Sequence, residues 1–461
     1  MEATKKKPIL AMPHPYVIIM ILLLIVCIMT YVIPAGEYVR YVNDAGITVV
    51  DPDSYHVVDQ TPVSPLKIPS CIMKGLSSQG STIFATMVIG GALEIILATG
   101  MFHAFCKKMA YFCAGKQRIF IPVITLIFTL IGLTQAPSRF LGFAPLGVML
   151  AATLGCDALI GVSMILLGIA GGFCGGMLAS TTAIAQEIAE LPAYSGMSLR
   201  VVITVLIYLS TTIYMVRYAE RVRKDPTKSY LYGDKDVVTF ELPKEEVVVT
   251  KKHVLVLVIL VATLAIMMWG CMTFSWGLTQ VAICFLWMGI IGGLAGGFSP
   301  SEISQHFTKG VAGMAMTSII IGLGATVAVV LDEGHVLDTV VMSMANTINY
   351  FPQFLRGAVL LVINTIVNFF IISGNGQAAA VMPVLTPVAD LAGISRQTCV
   401  LAYKLGDGFS NYIYPHNDSL MAFIGIAGIS YGKWMKFMGK LFAIWMILGA
   451  AVLIFASVSG Y

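Results

Sequence analysis

Apolar runs of about 20 residues recur along this chain, and each is long enough to cross ~30 Å of hydrocarbon as a helix. Two stretches, Thr134 to Thr182 and Ile372 to Asn417, are interrupted at matched places. Each opens with a polar tip bearing glycine or proline: Thr134-Gln135-Ala136-Pro137-Ser138-Arg139, then Ser373-Gly374-Asn375-Gly376-Gln377. Each later meets a second interruption: Gly168-Ile169-Ala170-Gly171-Gly172, then Gly406-Asp407-Gly408-Phe409-Ser410-Asn411. A fixed shift of 238 residues, the separation of Pro145 and Pro383, also carries Ala151 to Ala389, Gly155 to Gly393, Val162 to Val400 and Leu167-Gly168 to Leu405-Gly406. Irregular backbone at membrane depth is tolerated only where protein buries it or it lines a cavity. Paired interruptions in two halves therefore point to a small-solute binding site between them.

Composition excludes several other classes. The chain is 57% hydrophobic and 11% charged, against roughly 25% charged in a soluble domain. Its net charge of +4 sits in loops and forms no basic stripe with interleaved aromatics, so a nucleic-acid partner is not expected. No HExxH or Walker-type motif occurs and the histidines are dispersed, which argues against an enzyme and against a resident cofactor. The nine cysteines form no CxxC pair, and most lie in or beside apolar runs as small hydrophobes. Tyr16 to Ile33 lacks a small-residue cleavage site after it and reads as a span rather than a signal. The expected partners are the lipid bilayer and a small molecule.

Positive-inside logic orders the spans. Lys5-Lys6-Lys7 holds the N-terminus in the cytoplasm; residues 16–34 run outward, and 35–78 form a polar extracytoplasmic segment. Within it, Tyr38–Val42 and Ile47–Val50 about Asn43-Asp44-Ala45-Gly46 read as a β-hairpin. Residues 80–105 return to Lys107, Lys108, Lys116 and Arg118. A re-entrant hairpin (119–152), a broken span (158–179, interrupted near Gly171) and a span at 198–216 complete a first repeat, 1–220. A charged cytoplasmic linker, 221–252, leads to one extra span within 253–275, which turns the second half upside down relative to the first. The second repeat, 276–461, has spans at 276–297 and 314–331, a re-entrant hairpin at 357–391, a broken span at 397–426 and a last span at 433–457. Lys433, Lys436 and Lys440 fall on the cytoplasmic side, which leaves the C-terminus extracytoplasmic. The fold class is thus an all-α integral membrane protein with an inverted repeat and about nine full spans. Two ordinary helices in place of each hairpin are the rival reading.

A half-helix ending inside the membrane exposes unpaired N–H groups and a partial positive charge, which suit an anionic group of a solute. Unwound carbonyls and side-chain oxygens suit a small cation instead. The candidate solute-binding residues are Thr134, Gln135, Ser138, Arg139, Gly171, Gly172, Ser180, Thr181, Gly374, Asn375, Gly376, Asp407, Asn411, His416 and Asn417. Ser138, Arg139, Gly171 and Gly172 are placed to receive a carboxylate, while Ser373, Asn375, Asp407, Ser410 and Asn411 form a candidate Na+ site. Several of these have a plainer reading. Asp407 is one turn from Lys404, so a buried ion pair competes with function. Arg139 is either a carboxylate clamp or an interfacial anchor. Glu94 is a proton carrier or a packing residue bonded to a neighbouring helix. His416, Asn417 and Asp418 touch the solute or cap the resumed helix. Asp332, Glu333 and His335 read as solvated residues at a span end.

The chain resembles the YfcC-type branch of the C4-dicarboxylate (DcuC-like) and basic amino acid (ArcD-type) carriers, in the ion transporter superfamily. Tyr31-Val32-Ile33-Pro34-Ala35-Gly36-Glu37-Tyr38, Met382-Pro383, Gly393-Ile394-Ser395-Arg396-Gln397 and Gly406-Asp407-Gly408-Phe409-Ser410-Asn411 carry the likeness, which runs over most of the chain. The resemblance implies a homodimer whose protomers have a scaffold part and a transport part with two opposed hairpins, working by an elevator-like motion. Relatives carry four-carbon dicarboxylates or exchange arginine for ornithine, and several superfamily members couple to sodium. This chain departs from the basic amino acid branch at Pro137-Ser138-Arg139, where that branch has acids, and at Leu178-Ala179-Ser180-Thr181-Thr182, where it has Asn-Pro. Pro415-His416-Asn417-Asp418 replaces the usual small hydroxyl residues. Losing acids and gaining Arg139 points to a carboxylate-bearing solute.

The resulting expectation is a secondary active symporter or exchanger in a bacterial inner membrane, moving an amino acid or C4-dicarboxylate with Na+, H+ or exchange as the drive. A basic amino acid antiporter of the arginine/ornithine type is the alternative. A channel ranks below both, since the polar residues cluster at two points instead of lining a path.

Overall fold

A computed structural model describes residues 15–42, 48–51, 53–101, 104, 116–192, 194–234, 237, 249–274 and 276–461. The Lys5-Lys6-Lys7 flank, the Asn43-Asp44-Ala45-Gly46 turn, Lys107, Lys108 and much of the linker lie outside those residues. The chain opens with α1 (Pro15–Val32), α2 (Ile68–Ser78) and α3 (Gly80–Ala98). Between α1 and α2, four short strands, β1 (Gly36–Glu37), β2 (Arg40–Val42), β3 (Thr48–Val50) and β4 (His56–Val57), make two antiparallel pairs, β1 with β4 and β2 with β3. The expected hairpin is the second of these. The first half continues with α4 (Gln117–Gly132), a 3-10 turn (Pro137–Phe143), α5 (Ala144–Thr153), α6 (Ala158–Gly175), α7 (Ser180–Ile188) and α8 (Met197–Lys224). Next come α9 (Lys251–Thr273), α10 (Leu278–Gly296), α11 (Pro300–Glu333) and α12 (Leu337–Thr347). The second half ends the chain with α13 (Gln353–Phe370), α14 (Gly374–Leu391), α15 (Arg396–Ser410), α16 (Asp418–Ile426) and α17 (Tyr431–Ser459). Among the described residues, seven segments are long and apolar enough to cross a membrane.

The shift of 238 residues holds at the level of backbone geometry. It carries the end of α5 at Thr153 onto the end of α14 at Leu391, and the start of α6 at Ala158 onto the start of α15 at Arg396. It carries α7 onto α16 at both ends. The caps repeat as well: Asp157 accepts from the Ile160 amide, and Ser395 from the Thr398 amide. Each side chain satisfies one of the orphan donors of a helix's first turn.

Packing repeats in the same way. In the first half α4 lies on α6 and α8, α5 on α6, and α6 on α8; in the second α13 lies on α15 and α17, α14 on α15, and α15 on α17. The halves also exchange contacts, since α14 packs on α7 and α16 packs on the Pro137–Phe143 turn. A second group surrounds α11, which touches α1, α2 and α3, with α3 and α9 packed on α10. Its 34 residues make α11 about 51 Å long. The capping box of Ser299 with Glu302, with Pro300 at the first turn, fixes its start.

Two breaks differ from expectation. The tips lie where the sequence puts them, between Gly132 and Pro137 and between Phe370 and Gly374. The second interruptions do not. Helix α6 runs unbroken through Gly171 and Gly172 and stops at Gly176, whose φ of +63° is left-handed. Helix α15 likewise runs through Gly406, Asp407 and Gly408 and stops at Asn411. These glycines are contact points instead. A Cβ on Gly172 would strike the Thr129 carbonyl and the Leu133 amide of the neighbouring helix end, and one on Gly408 would lie 2.9 Å from the Cα of Cys174. Small residues let membrane helices approach this closely.

Glu94 pairs with Lys309 across the α3–α11 contact, which is the neighbouring-helix reading. On the segment between α1 and α2, Arg40 donates to both carboxylate oxygens of Asp338 (2.9 and 3.0 Å), and the Tyr38 amide donates to the same group (3.0 Å). Glu333 and His335 are not merely solvated: Lys74 pairs with Glu333, and Glu37 with His335.

Candidate solute-binding site

All four interruptions open on one cavity of about 920 Å³. Three α-helices begin at its wall: α7 after Ala179, α14 after Ser373 and α16 after Asn417. The Pro137–Phe143 turn begins there too, after Ala136. Ser373 and Asn417 cap their own helices by accepting from the Gly376 and Leu420 amides. Ala179 supplies no such cap, although the shift of 238 makes it the counterpart of Asn417. The first turn of α7 therefore faces the cavity with its dipole uncompensated by a side chain. Beside it the Thr181 hydroxyl is buried and has no hydrogen-bond partner.

Of the residues singled out from sequence, Thr134, Ser138, Arg139, Ser180, Thr181, Ser373, Gly374, Asn375, Asp407, Asn411, His416 and Asn417 line this cavity. Arg139 reaches back to Gln135, Nη1 to Oε1 at 2.6 Å, so Gln135 stands behind the wall and orients the guanidinium. Gly171 and Gly172 are corrected: they sit buried in the α4–α6 contact, away from the cavity. Gly376 and Ser410 are also absent from its lining. His416 donates from Nε2 to the Phe369 carbonyl (2.8 Å), while its Nδ1 has no partner. It also packs on the long helix, where a Cβ on Gly324 would lie 2.6 Å from its own Cβ.

The wall also includes Asp418, and beyond the residues singled out from sequence it includes Phe173, Tyr412 and Asp332. Asp332 reads as a solvated span end until the fold brings it to the wall. Gln79, between α2 and α3, also lies there and carries no sequence signal.

Asp407 and Lys404 form the electrostatic centre. Lys404 Nζ lies 2.8 Å from Asp407 Oδ2, with the side chains 0% and 1% exposed. The same ammonium lies 3.4 Å from the centroid of the Phe173 ring. Asn411 donates to Asp407 Oδ1 (3.2 Å), and both carboxylate oxygens would be 3.2 Å from a Cβ on Gly374. The carboxylate thus sits against the start of α14, where the helix dipole favours negative charge. Asn368, a residue without a sequence signal, ties the end of α15 together by donating to Ser410 Oγ (2.8 Å) and Asn411 Oδ1 (3.0 Å).

The five residues considered for a sodium ion do not present free oxygens to one point. Asp407 holds an ammonium, and Ser373 Oγ accepts from its own helix at Gly376. Ser410 Oγ donates to the Gly406 carbonyl (2.6 Å), and Asn411 Oδ1 accepts from Asn368 and Asn417. Only Asn375 stands exposed to the cavity without such a bond on its side chain among those described.

These features define a polytopic helical membrane protein with a polar cavity at its broken helices. The sequence profile of the C4-dicarboxylate anaerobic carrier family, DcuC, matches residues 12–458. The chain belongs to that family and is a membrane transport protein. It is similar to YfcC of Escherichia coli (strain K12), provisionally named a basic amino acid antiporter, at 29% identity over 98% of this chain and 97% of that one. It is also similar to an uncharacterised protein of Haemophilus influenzae (strain Rd), at 26% identity over 98% of each. Among solved structures, the YdaH transporter of Alcanivorax borkumensis aligns over 97% of this chain and 99% of its own, at 15% identity and a TM-score of 0.43. MtrF of Neisseria gonorrhoeae, described with a class of antimetabolite efflux pumps, aligns over 96% and 95%, at 14% identity and a TM-score of 0.40.

Proposed function

We propose that this protein is a secondary active carrier, a symporter or exchanger, for a small carboxylate-bearing metabolite such as an amino acid or a C4-dicarboxylate. The observation that carries the reading is the uncapped start of α7 facing the same cavity as Arg139. A solute carboxylate would satisfy the free amides there and pair with the guanidinium. The buried Thr181 hydroxyl, lacking a partner, would donate a third bond.

On this reading 119–152 and 357–391 are re-entrant hairpins and the two halves are an inverted repeat; the shared caps, helix bounds and packing support it. The group built on α4 to α8 and α13 to α17 would be the moving part of an elevator, and the group around α11 the scaffold of a homodimer. The protein would sit in a bacterial inner membrane with a cytoplasmic N-terminus and an extracytoplasmic C-terminus.

A basic amino acid antiporter is the second reading, favoured by Asp418 and Asp332 on the cavity wall, where they would meet a cationic side chain. The name of the Escherichia coli relative agrees with it. Purified protein in liposomes preloaded with succinate, arginine or another amino acid should show saturable counterflow of one labelled solute. Flux that rises linearly with concentration and shows no counterflow would make the protein a channel.

A further inference from the structure

We propose that Lys404 is the resident cation of this carrier, standing where a coupling sodium ion would otherwise bind, so that its cycle runs without sodium. The inference rests on the carrier reading for its meaning but on different residues for its evidence. Asp407 is the single carboxylate among the five candidate cation ligands, and its charge is already matched by an ammonium at 2.8 Å. The Phe173 ring adds a second attractive surface for that ammonium, 3.4 Å away. A sodium ion entering beside it would set two cations against one carboxylate in a water-poor site, where like charges repel strongly.

The stem of Lys404 is equally constrained. A Cβ on Gly176 would lie 2.6 Å from Lys404 Cγ, so the chain passes directly over the break that ends α6. One side chain of the second half thus fills the interruption of the first and brings its charge to Asp407, which lines the cavity. A mobile ion would have needed oxygens here. The Ser373, Ser410 and Asn411 oxygens are instead bonded within the protein. The tethered ammonium does the electrostatic work of a bound ion, and it never leaves.

The test reads cation binding separately from transport. Thermal unfolding of the detergent-purified protein is measured in sodium chloride and in choline chloride at equal ionic strength. The wild-type midpoint should be the same in both salts. Lys404→Gln, which leaves Asp407 uncompensated, should melt lower in choline and recover by several degrees in sodium, the kind of shift expected of a ligand ~100-fold above its Kd. Adding Asp407→Asn to that variant should abolish the sodium response. A wild-type midpoint that rises in sodium overturns the proposal, as does a folded Lys404→Gln protein blind to sodium. Should Lys404→Gln fail to fold, the wild-type comparison decides alone. Absence of counterflow with every solute would sink the carrier reading and leave the sodium result standing on its own.

Discussion

Gly155 and Gly393 stand 238 residues apart and hold the same left-handed backbone, with φ of +71° and +67°. Each lies two residues beyond the last residue of its helix, Thr153 of α5 and Leu391 of α14. For residues with a Cβ that conformation costs roughly 1–2 kcal/mol. The agreement ties the repeat in the letters to a repeat in the chain's course.

Their surroundings differ, and that difference is measurable. A Cβ on Gly155 meets nothing within 4 Å, whereas one on Gly393 would lie 2.9 Å from Gln353 Nε2, which donates to the Gly393 carbonyl. Gly155→Ala should lower stability by about 1 kcal/mol, the backbone cost alone. Gly393→Ala should lower it further, because Gln353 must move as well. Melting of the two variants beside wild type gives the order, and equal midpoints for all three would refute the backbone reading.

Gly172→Ala separates packing from binding. Its added methyl runs into backbone of α4 and of the Leu133 turn, which cannot swing aside as a side chain can. Overpacking of this kind costs about 1–3 kcal/mol or more. Reduced yield and a lower midpoint are expected, with solute affinity per folded molecule kept within about twofold because the residue is away from the cavity wall. A selective loss of affinity at normal stability would return Gly172 to the binding site.

Arg139→Gln tests the polarity of the solute. The guanidinium lines the cavity and is only partly buried, so its removal should leave melting nearly unchanged. Losing a charge-assisted bond of about 1.5–3 kcal/mol should weaken carboxylate binding by roughly 10- to 150-fold. Competition of labelled counterflow by unlabelled solute gives the affinity. An unchanged or improved affinity would favour a cationic solute held by Asp418 and Asp332.

Much of the site was readable from local chemistry. Thr134 to Arg139 and Ser373 to Gln377 are breaks because proline, glycine and short polar side chains end helices wherever they cluster. Most residues at those tips accordingly line the cavity, Gln135, Gly376 and Gln377 excepted. The second pair of breaks was misplaced by a few residues. Gly168 to Gly172 and Gly406 to Gly408 look like helix breakers, but each faces another helix at close range and serves the contact. The true ends, near Gly176 and Asn411, are set by local backbone chemistry, a left-handed glycine in one case and a proline-bearing turn in the other.

Hydrophobic length, the two polar tips and the 238-residue echo are properties of neighbouring letters, and they were enough to specify a helical membrane protein with paired interruptions. Whether a glycine is a hinge or a seat for another helix depends on the group placed opposite, and that group is distant in sequence. The same holds for charge. Lys404 and Asp407 are one turn apart on any helix, but only the fold sets Phe173, the start of Gly374's helix and the Gly176 break around them. Burial in that company sets this ion pair apart from one on a solvated helix, because charges removed from water interact with whatever the tertiary structure brings within a few ångströms.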